Sequence, residues 1–229
     1  KPILVVVVEG VDLVGKDAVG KLLAEGVLAR SDVVPSAALV LQEPPNVAGW
    51  PVAPLWGVRD MLRAKTAGRE PATWPPEAWI CAFVGAMLSQ DHIARAALAI
   101  GRSVVYVRRE LSTIAYQCLL ADRPDLCAFV RAAASVLAPA DVLIHLDGDP
   151  GVLARRIAGA GERDNAAFED IETQRRLRGA YAEAVEVWGA ALELSRGALI
   201  TRVNAEQEIE AVVRDAEKAV RTRIEAYLP

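Results

Sequence analysis

The sequence predicts an α/β protein: a parallel five-stranded sheet with helices on both faces. Three observations carry this. Short runs rich in Val, Ile and Leu alternate with longer helix-like stretches along the 229 residues. The first run is β-branched and unbroken by polar residues until Glu9, as in a strand buried on both faces. That strand runs directly into a glycine-containing loop and then a helical pattern, the order of a strand–loop–helix unit.

The elements follow in order. Residues 3–9 form the first strand, and residues 18–30 have helical character. Residues 38–41 form a second strand that ends in Gln42-Glu43-Pro44-Pro45. Residues 44–54, rich in Pro and Gly, form a loop, and residues 55–65 a helix. Pro71 to Pro76 breaks the chain. Residues 77–100 form a long helix stopped by Gly101. Residues 103–107 form a third strand, and residues 112–120 and 126–137 are helical. Residues 141–146 form a fourth strand, and a helix starts over 152–158. Residues 159–165 form a polar break, 171–194 a second long helix, 199–203 a short last strand and 206–227 a terminal helix. No internal repeat or linker interrupts this series, so residues 1–229 are read as one domain with a lid segment near 155–170.

Composition excludes several classes. Hydrophobic residues make up 53% and aromatics 5%, so the core is built of Ala, Val, Leu and Ile. The net charge of −4 argues against a broad duplex-binding surface. Cys81, Cys118 and Cys127 form no CxxC pair and are expected to be reduced core thiols in a cytoplasmic protein. The two histidines, His92 and His145, are far apart and make no zinc pattern. No signal peptide is evident, and the apolar run at residues 3–8 is too short to span a membrane.

Gly10-Val11-Asp12-Leu13-Val14-Gly15-Lys16-Asp17 matches GxxxxGK after a buried strand and opens a helix. Glycines let the backbone wrap a phosphate. Loop N–H groups, Val14 and Gly15 included, point inward, and the helix N-terminus adds positive potential. Lys16 would reach the β- and γ-phosphates of a nucleotide. Asp17 stands where Ser or Thr is expected. It is either a carboxylate ligand for Mg²⁺ or a first-turn acid that favours the helix dipole.

A wider set of segments resembles the thymidylate kinase family. Glu9-Gly10-Val11-Asp12 with Gly15-Lys16 resembles its opening, Gln42-Glu43-Pro44 its Arg-Glu-Pro turn, and Val58-Arg59 its following Ile-Arg. Pro76-Glu77 resembles the start of its long helix. Ser112-Thr113-Ile114-Ala115-Tyr116-Gln117 is similar to the tail of its Asp-Arg-Tyr-x-x-Ser-x-x-Ala-Tyr-Gln motif. Leu143-Ile144-His145-Leu146-Asp147 with Asp149-Pro150, and Arg178 with Tyr181, resemble later segments.

The resemblance implies a P-loop nucleoside-monophosphate-kinase fold, ATP with Mg²⁺, and an acceptor nucleotide beside the loop. The catalytic set it implies is Lys16, Asp12, Arg108 and Arg163. Gly10, Val14, Gly15, Lys16, Asp17, Arg155 and Arg156 would bind ATP, with Asp17 toward the metal. Asp12, Arg59, Phe83, Arg108, Arg109, Ser112, Tyr116 and Gln117 would bind the acceptor, Phe83 by stacking on a base. Thymidylate kinases pair through long helices, so a homodimer is also implied.

The chain departs from that pattern at three places. Val107 and Arg109 replace the Asp and Tyr of Asp-Arg-Tyr. Gly85 and Ala86 stand where the long helix should carry Asp-Arg, whose arginine reads the thymine edge. Asp17 replaces the phosphate-loop hydroxyl, and by hypothesis restores an acid lost at 107. The expected activity is phosphoryl transfer to a thymidylate-like deoxynucleotide. One alternative is a kinase acting on the hydroxymethyl group of 5-hydroxymethyluracil in phage DNA, which Arg109 beside Arg108 and the 44–54 loop would suit. Another is a nucleotide-binding protein without catalysis.

Overall fold

The sheet is assembled around Val5–Gly10 (β1), whose six residues are all buried. The structure, a computed structural model, describes residues 2–12, 14–32, 37–42, 75–160, 171–189 and 197–228. β1 pairs in parallel with Val104–Val107 (β3) on one side and Val142–Asp147 (β4) on the other. Leu39–Gln42 (β2) extends the sheet beyond β3, and Leu199–Asn204 (β5) extends it beyond β4. The order is β2-β3-β1-β4-β5, all parallel.

The valine run works because alternate residues serve opposite layers. Val6 and Val8 pack with Val19 and Leu23 of Lys16–Glu25 (α1) and with Val212 and Ala216 of the terminal helix Ile209–Ala226. Val5 and Val7 pack the other way, with Ile93 and Ala97 of Pro76–Ala99 (α2). Each fully buried valine contributes roughly 1.5 kcal/mol or more over an exposed one. A third cluster joins Ile80, Val84 and Met87 of α2 to Leu111, Ile114 and Val130.

Other elements are Glu110–Thr113 (α3), Cys127–Ala134 (α4), Pro150–Ala160 (α5) and Ile171–Ala184 (α6); the terminal helix is α7. α2 starts on Pro76 at its first turn and ends where Gly101 takes a positive φ of 81°. That is the stop expected of glycine. Two stretches read as α-helix are instead locally π: Ile114–Leu119 after α3 and Val185–Gly189 after α6. The second strand is shifted one residue toward the C-terminus, and the terminal helix begins at Ile209 rather than 206. The 44–54 loop, the 55–65 helix and most of the 155–170 lid lie outside the described residues.

Cys118 and Cys127 are buried thiols, but Cys81 is exposed on α2 and is no core residue. Among the described residues no helix is long and apolar enough to cross a membrane, and no group of three acidic, His or Cys side chains could hold a metal alone.

Candidate active site

All the converging side chains lie at the C-terminal edge of the sheet, where open α/β sheets bind ligands. β1 ends in Gly10 at φ 146°; a Cβ there would lie 2.3 Å from the Leu146 carbonyl oxygen, so only glycine fits. Gly15, at φ 81°, turns the chain into α1, whose N-terminus has no side-chain cap. Its first-turn N–H groups are therefore left for another acceptor.

Lys16 folds back into the loop. It is 6% exposed, donates to the Val11 carbonyl, and lies 3.8 Å from Asp12 Oδ1. Burial, reinforced by the Arg108 charge, lowers its pKa to about 7 against the pull of Asp12, Asp17 and Glu9.

Arg108 follows β3 directly and takes φ 68°, a left-handed conformation unusual for a side-chain-bearing residue. Such strain costs on the order of 1 kcal/mol or more and gathers at functional sites. The backbone holds it there, since Arg108 N–H donates to Val8 O at 2.9 Å. Its guanidinium pairs with Asp12 and lies 5.5 Å from the centre of the Tyr116 ring. The Tyr116 hydroxyl donates to the other Asp12 oxygen at 2.7 Å. Burial pushes the Asp12 carboxyl up, but Arg108, Lys16 and the Tyr116 hydroxyl outweigh it and hold it well below the usual range. Asp12 is thus an ionised hub between two cations.

Beneath it sits a layer around Glu9, a residue to which the sequence reading gave no role. Glu9 is fully buried and accepts from the Arg109 amide at 2.8 Å and from Ser112 Oγ at 2.5 Å. Ser112 Oγ also meets the Tyr181 hydroxyl at 2.7 Å, and Tyr181 packs edge-on against Tyr116. Burial raises the Glu9 pKa despite these donors. A polar residue closing an otherwise apolar strand was the available signal. On the far side Asp147 receives Arg178 at 2.7 and 2.9 Å and also pairs with Arg202; Arg178 first, then Arg202, holds its carboxyl far below normal.

Arg109 is a correction. It was expected at the acceptor, but it is 1% exposed, paired with Glu110 (2.8 Å) and bonded to the Ala138 carbonyl (3.0 Å). The left-handed turn at Arg108 sends the two consecutive side chains apart. Ser112 is likewise committed to Glu9 and Tyr181 rather than open to a ligand. Phe83 is 9% exposed and stacked on Trp79 at 6.2 Å. Val14 is buried in the loop, Gln117 is half-buried on the π-helix beside Tyr116, and Arg155 is exposed on α5. Arg59, Arg163 and the side chain of Arg156 lie outside the described residues.

Asp17 is exposed on the first turn of α1 and accepts from Gln42 Nε2 at 3.1 Å. Gln42 is the register partner of Val107. Val107 in turn faces α1 so closely that a Cβ on Gly20 would lie 2.7 Å from its Cγ2. Asp17 and Gly20 are three apart and share a helix face. Asp17 therefore stands one turn above the place an acid at 107 would occupy.

A parallel sheet of this order, with a GxxxxGK loop after its central strand, defines the P-loop nucleoside-monophosphate-kinase class. The family profile described as thymidylate kinase matches residues 8–216, and the chain belongs to the thymidylate kinase family. It is similar to the thymidylate kinase of Haemophilus ducreyi, 30% identical over 132 residues that cover 57% of this chain and 57% of that protein. The match thus spans little more than half the length of that relative.

Proposed function

We propose that this chain transfers the γ-phosphoryl group of ATP to a thymidylate-like deoxynucleoside monophosphate. The observation that carries the reading is the meeting of Lys16, Asp12 and Arg108 at the strand ends, beside an uncapped helix N-terminus. The ATP phosphates lie along the loop N–H groups and Lys16. The acceptor phosphate takes the Arg108 guanidinium that Asp12 holds in its absence. An acceptor phosphate oxygen attacks the γ-phosphorus, the bond to the β–γ bridging oxygen breaks, and ADP leaves. The protein's share is positioning and charge stabilisation.

The residues present suit Mg²⁺. This ion commonly uses one or two carboxylates together with substrate phosphates, and the exposed Asp17 carboxylate at the loop, one oxygen of which accepts from Gln42, is such a donor. Mg²⁺ there would neutralise charge on the β- and γ-phosphate oxygens. Asp17→Thr is expected to raise the Mg²⁺ concentration needed for half-maximal rate and to lower the rate; an unchanged titration removes Asp17 from the metal.

The assay is labelled ATP offered with free deoxynucleoside monophosphates and, separately, with DNA containing 5-hydroxymethyluracil. Label in a diphosphate supports the proposal. Label in DNA would favour the base-kinase alternative, which has lost the support of the buried Arg109. No transfer at all would leave a nucleotide-binding protein. Lys16→Ala is expected to abolish transfer. Three free thiols suit a reducing compartment such as the cytoplasm. Pairing of two copies through α2, whose outer face carries Cys81, Leu88 and His92, is tested by light scattering.

A further inference from the structure

Glu9 is the one charged residue of β1, and it is fully buried. Burying a carboxylate costs free energy unless its oxygens are satisfied. Here each oxygen holds a different segment of the site. Oε1 accepts from the Arg109 amide at 2.8 Å, and Oε2 accepts from Ser112 Oγ at 2.5 Å. The first bond bears on Arg108. A residue's φ and ψ are set by the rigid peptide planes on its two sides. The plane before Arg108 is held by its own N–H on the Val8 carbonyl at 2.9 Å. The plane after it carries the Arg109 N–H and is held by Glu9. Consecutive residues of β1 thus clamp both planes, one through its backbone and the other through its side chain. Between them Arg108 keeps φ 68°, a conformation that persists only where the surroundings over-determine it.

The second bond leads to Asp12. Ser112 Oγ meets the Tyr181 hydroxyl at 2.7 Å, Tyr181 lies edge-on to Tyr116, and the Tyr116 hydroxyl donates to Asp12 Oδ2. Arg108 pairs with the other oxygen of Asp12. The geometry points to Glu9 as a positioning residue: its carboxylate, without touching a ligand, fixes the left-handed turn that aims the Arg108 guanidinium at the acceptor phosphate. This rests on the phosphoryl-transfer reading above. Without an oxygen for the Arg109 amide, that peptide rotates toward another partner, because a buried N–H is rarely left unpaired. Arg108 then relaxes to the negative φ that side-chain-bearing residues prefer, and its guanidinium leaves Asp12.

The test compares Glu9→Gln with Glu9→Met. Both remove the Glu9 charge, one of those that help to hold the proton on Lys16, but only Gln keeps an oxygen for the Arg109 amide. Affinities for a non-hydrolysable ATP analogue are expected to agree within about twofold between the two. Affinity for dTMP and kcat are expected to be roughly tenfold or more lower in Met than in Gln, the scale on which misplaced positioning groups act. In an Arg108→Ala background that difference is expected to vanish, since Glu9 acts through Arg108. Thermal unfolding shows whether each variant is folded. If Met is not, Glu9→Asp, which keeps the charge but is one methylene short, is compared with wild type in the same way. Equal dTMP binding and turnover in folded Met and Gln, a loss shared equally by the ATP analogue, or a difference that survives without Arg108 overturns the inference. If wild type neither transfers to dTMP nor binds it, the transfer reading fails and crystal structures of the variants decide. Arg108 released from its positive φ in Met but not in Gln supports the role of Glu9; Arg108 unmoved in both overturns it.

Discussion

Raising the pH from about 6 to about 9 is expected to weaken binding of a non-hydrolysable ATP analogue by roughly two orders of magnitude, through Lys16 alone. In the free protein this ammonium titrates at about 7 rather than the ordinary 10.5, because it is buried and faces Arg108. A polyphosphate laid against it favours the charged form and returns the pKa toward the ordinary lysine value. Below 7 the lysine is charged before and after binding, and pH has little effect. Above 7 the free protein has lost the proton, and each bound nucleotide must take one up. Affinity then falls about tenfold per pH unit until the pKa of the complex is reached, and two decades correspond to about 2.7 kcal/mol. Calorimetry at about pH 8.5, in buffers of different ionisation enthalpy, reads the uptake directly as a slope near one proton per site. The terminal phosphate of the nucleotide is already ionised there and adds nothing. Lys16→Met is expected to bind weakly and with no uptake. A flat affinity from about pH 6 to 9 with no proton taken up would refute the argument, because Lys16 would then be charged in the free loop or remote from the phosphates.

Three further outcomes follow from the same geometry. Gly10→Ala is expected to destabilise by about 3 kcal/mol or more, read by denaturant unfolding, because the new methyl would lie 2.3 Å from the Leu146 oxygen at a φ that side chains avoid. Ser112→Ala removes the donor to Glu9 and the partner of Tyr181, which is expected to cost roughly 1–3 kcal/mol of stability and to raise the Glu9 pKa further. His145 is buried against Tyr181, and burial lowers its pKa to about 4. The unfolded chain therefore binds the extra proton first. Stability is expected to fall as the pH drops from about 6.5 toward 4, by roughly 2–3 kcal/mol, and His145→Gln should flatten that limb if it folds.

Much of the fold was readable because its strands advertise themselves. Four consecutive valines after Leu4 can only be covered from both sides, and the strand-to-glycine-loop order placed Lys16 correctly at a helix start. Boundaries drifted where ends are set by partners rather than by local chemistry. β2 runs through Gln42 because β3 supplies a register partner for it. The π-helix at Ile114–Leu119 has no local signature, yet it is the segment that carries Tyr116 to Asp12. Arg109 misled because adjacency in sequence was read as adjacency in space, and a single positive φ at Arg108 separates the two. Glu9 is a polar letter in an apolar pattern. That signal shows where something is unusual, but only the packing shows that its carboxylate is satisfied by the Arg109 amide and Ser112.

Asp12 has a consequence for the proposed binding of phosphates. Its carboxylate lies against Arg108 and Lys16 together, so the site carries its own counter-ion. In the proposed reaction an arriving phosphate would exchange with that anion instead of filling a bare cationic hole. The guanidinium does not have to be gathered from solvent, so little reorganisation accompanies binding. Under the proposed transfer, the same exchange would run backwards as the diphosphate leaves, since Asp12 is at hand to take back the arginine. A built-in substitute of this kind would lower the grip on substrate and product alike, and so favour turnover over retention in the proposed transfer.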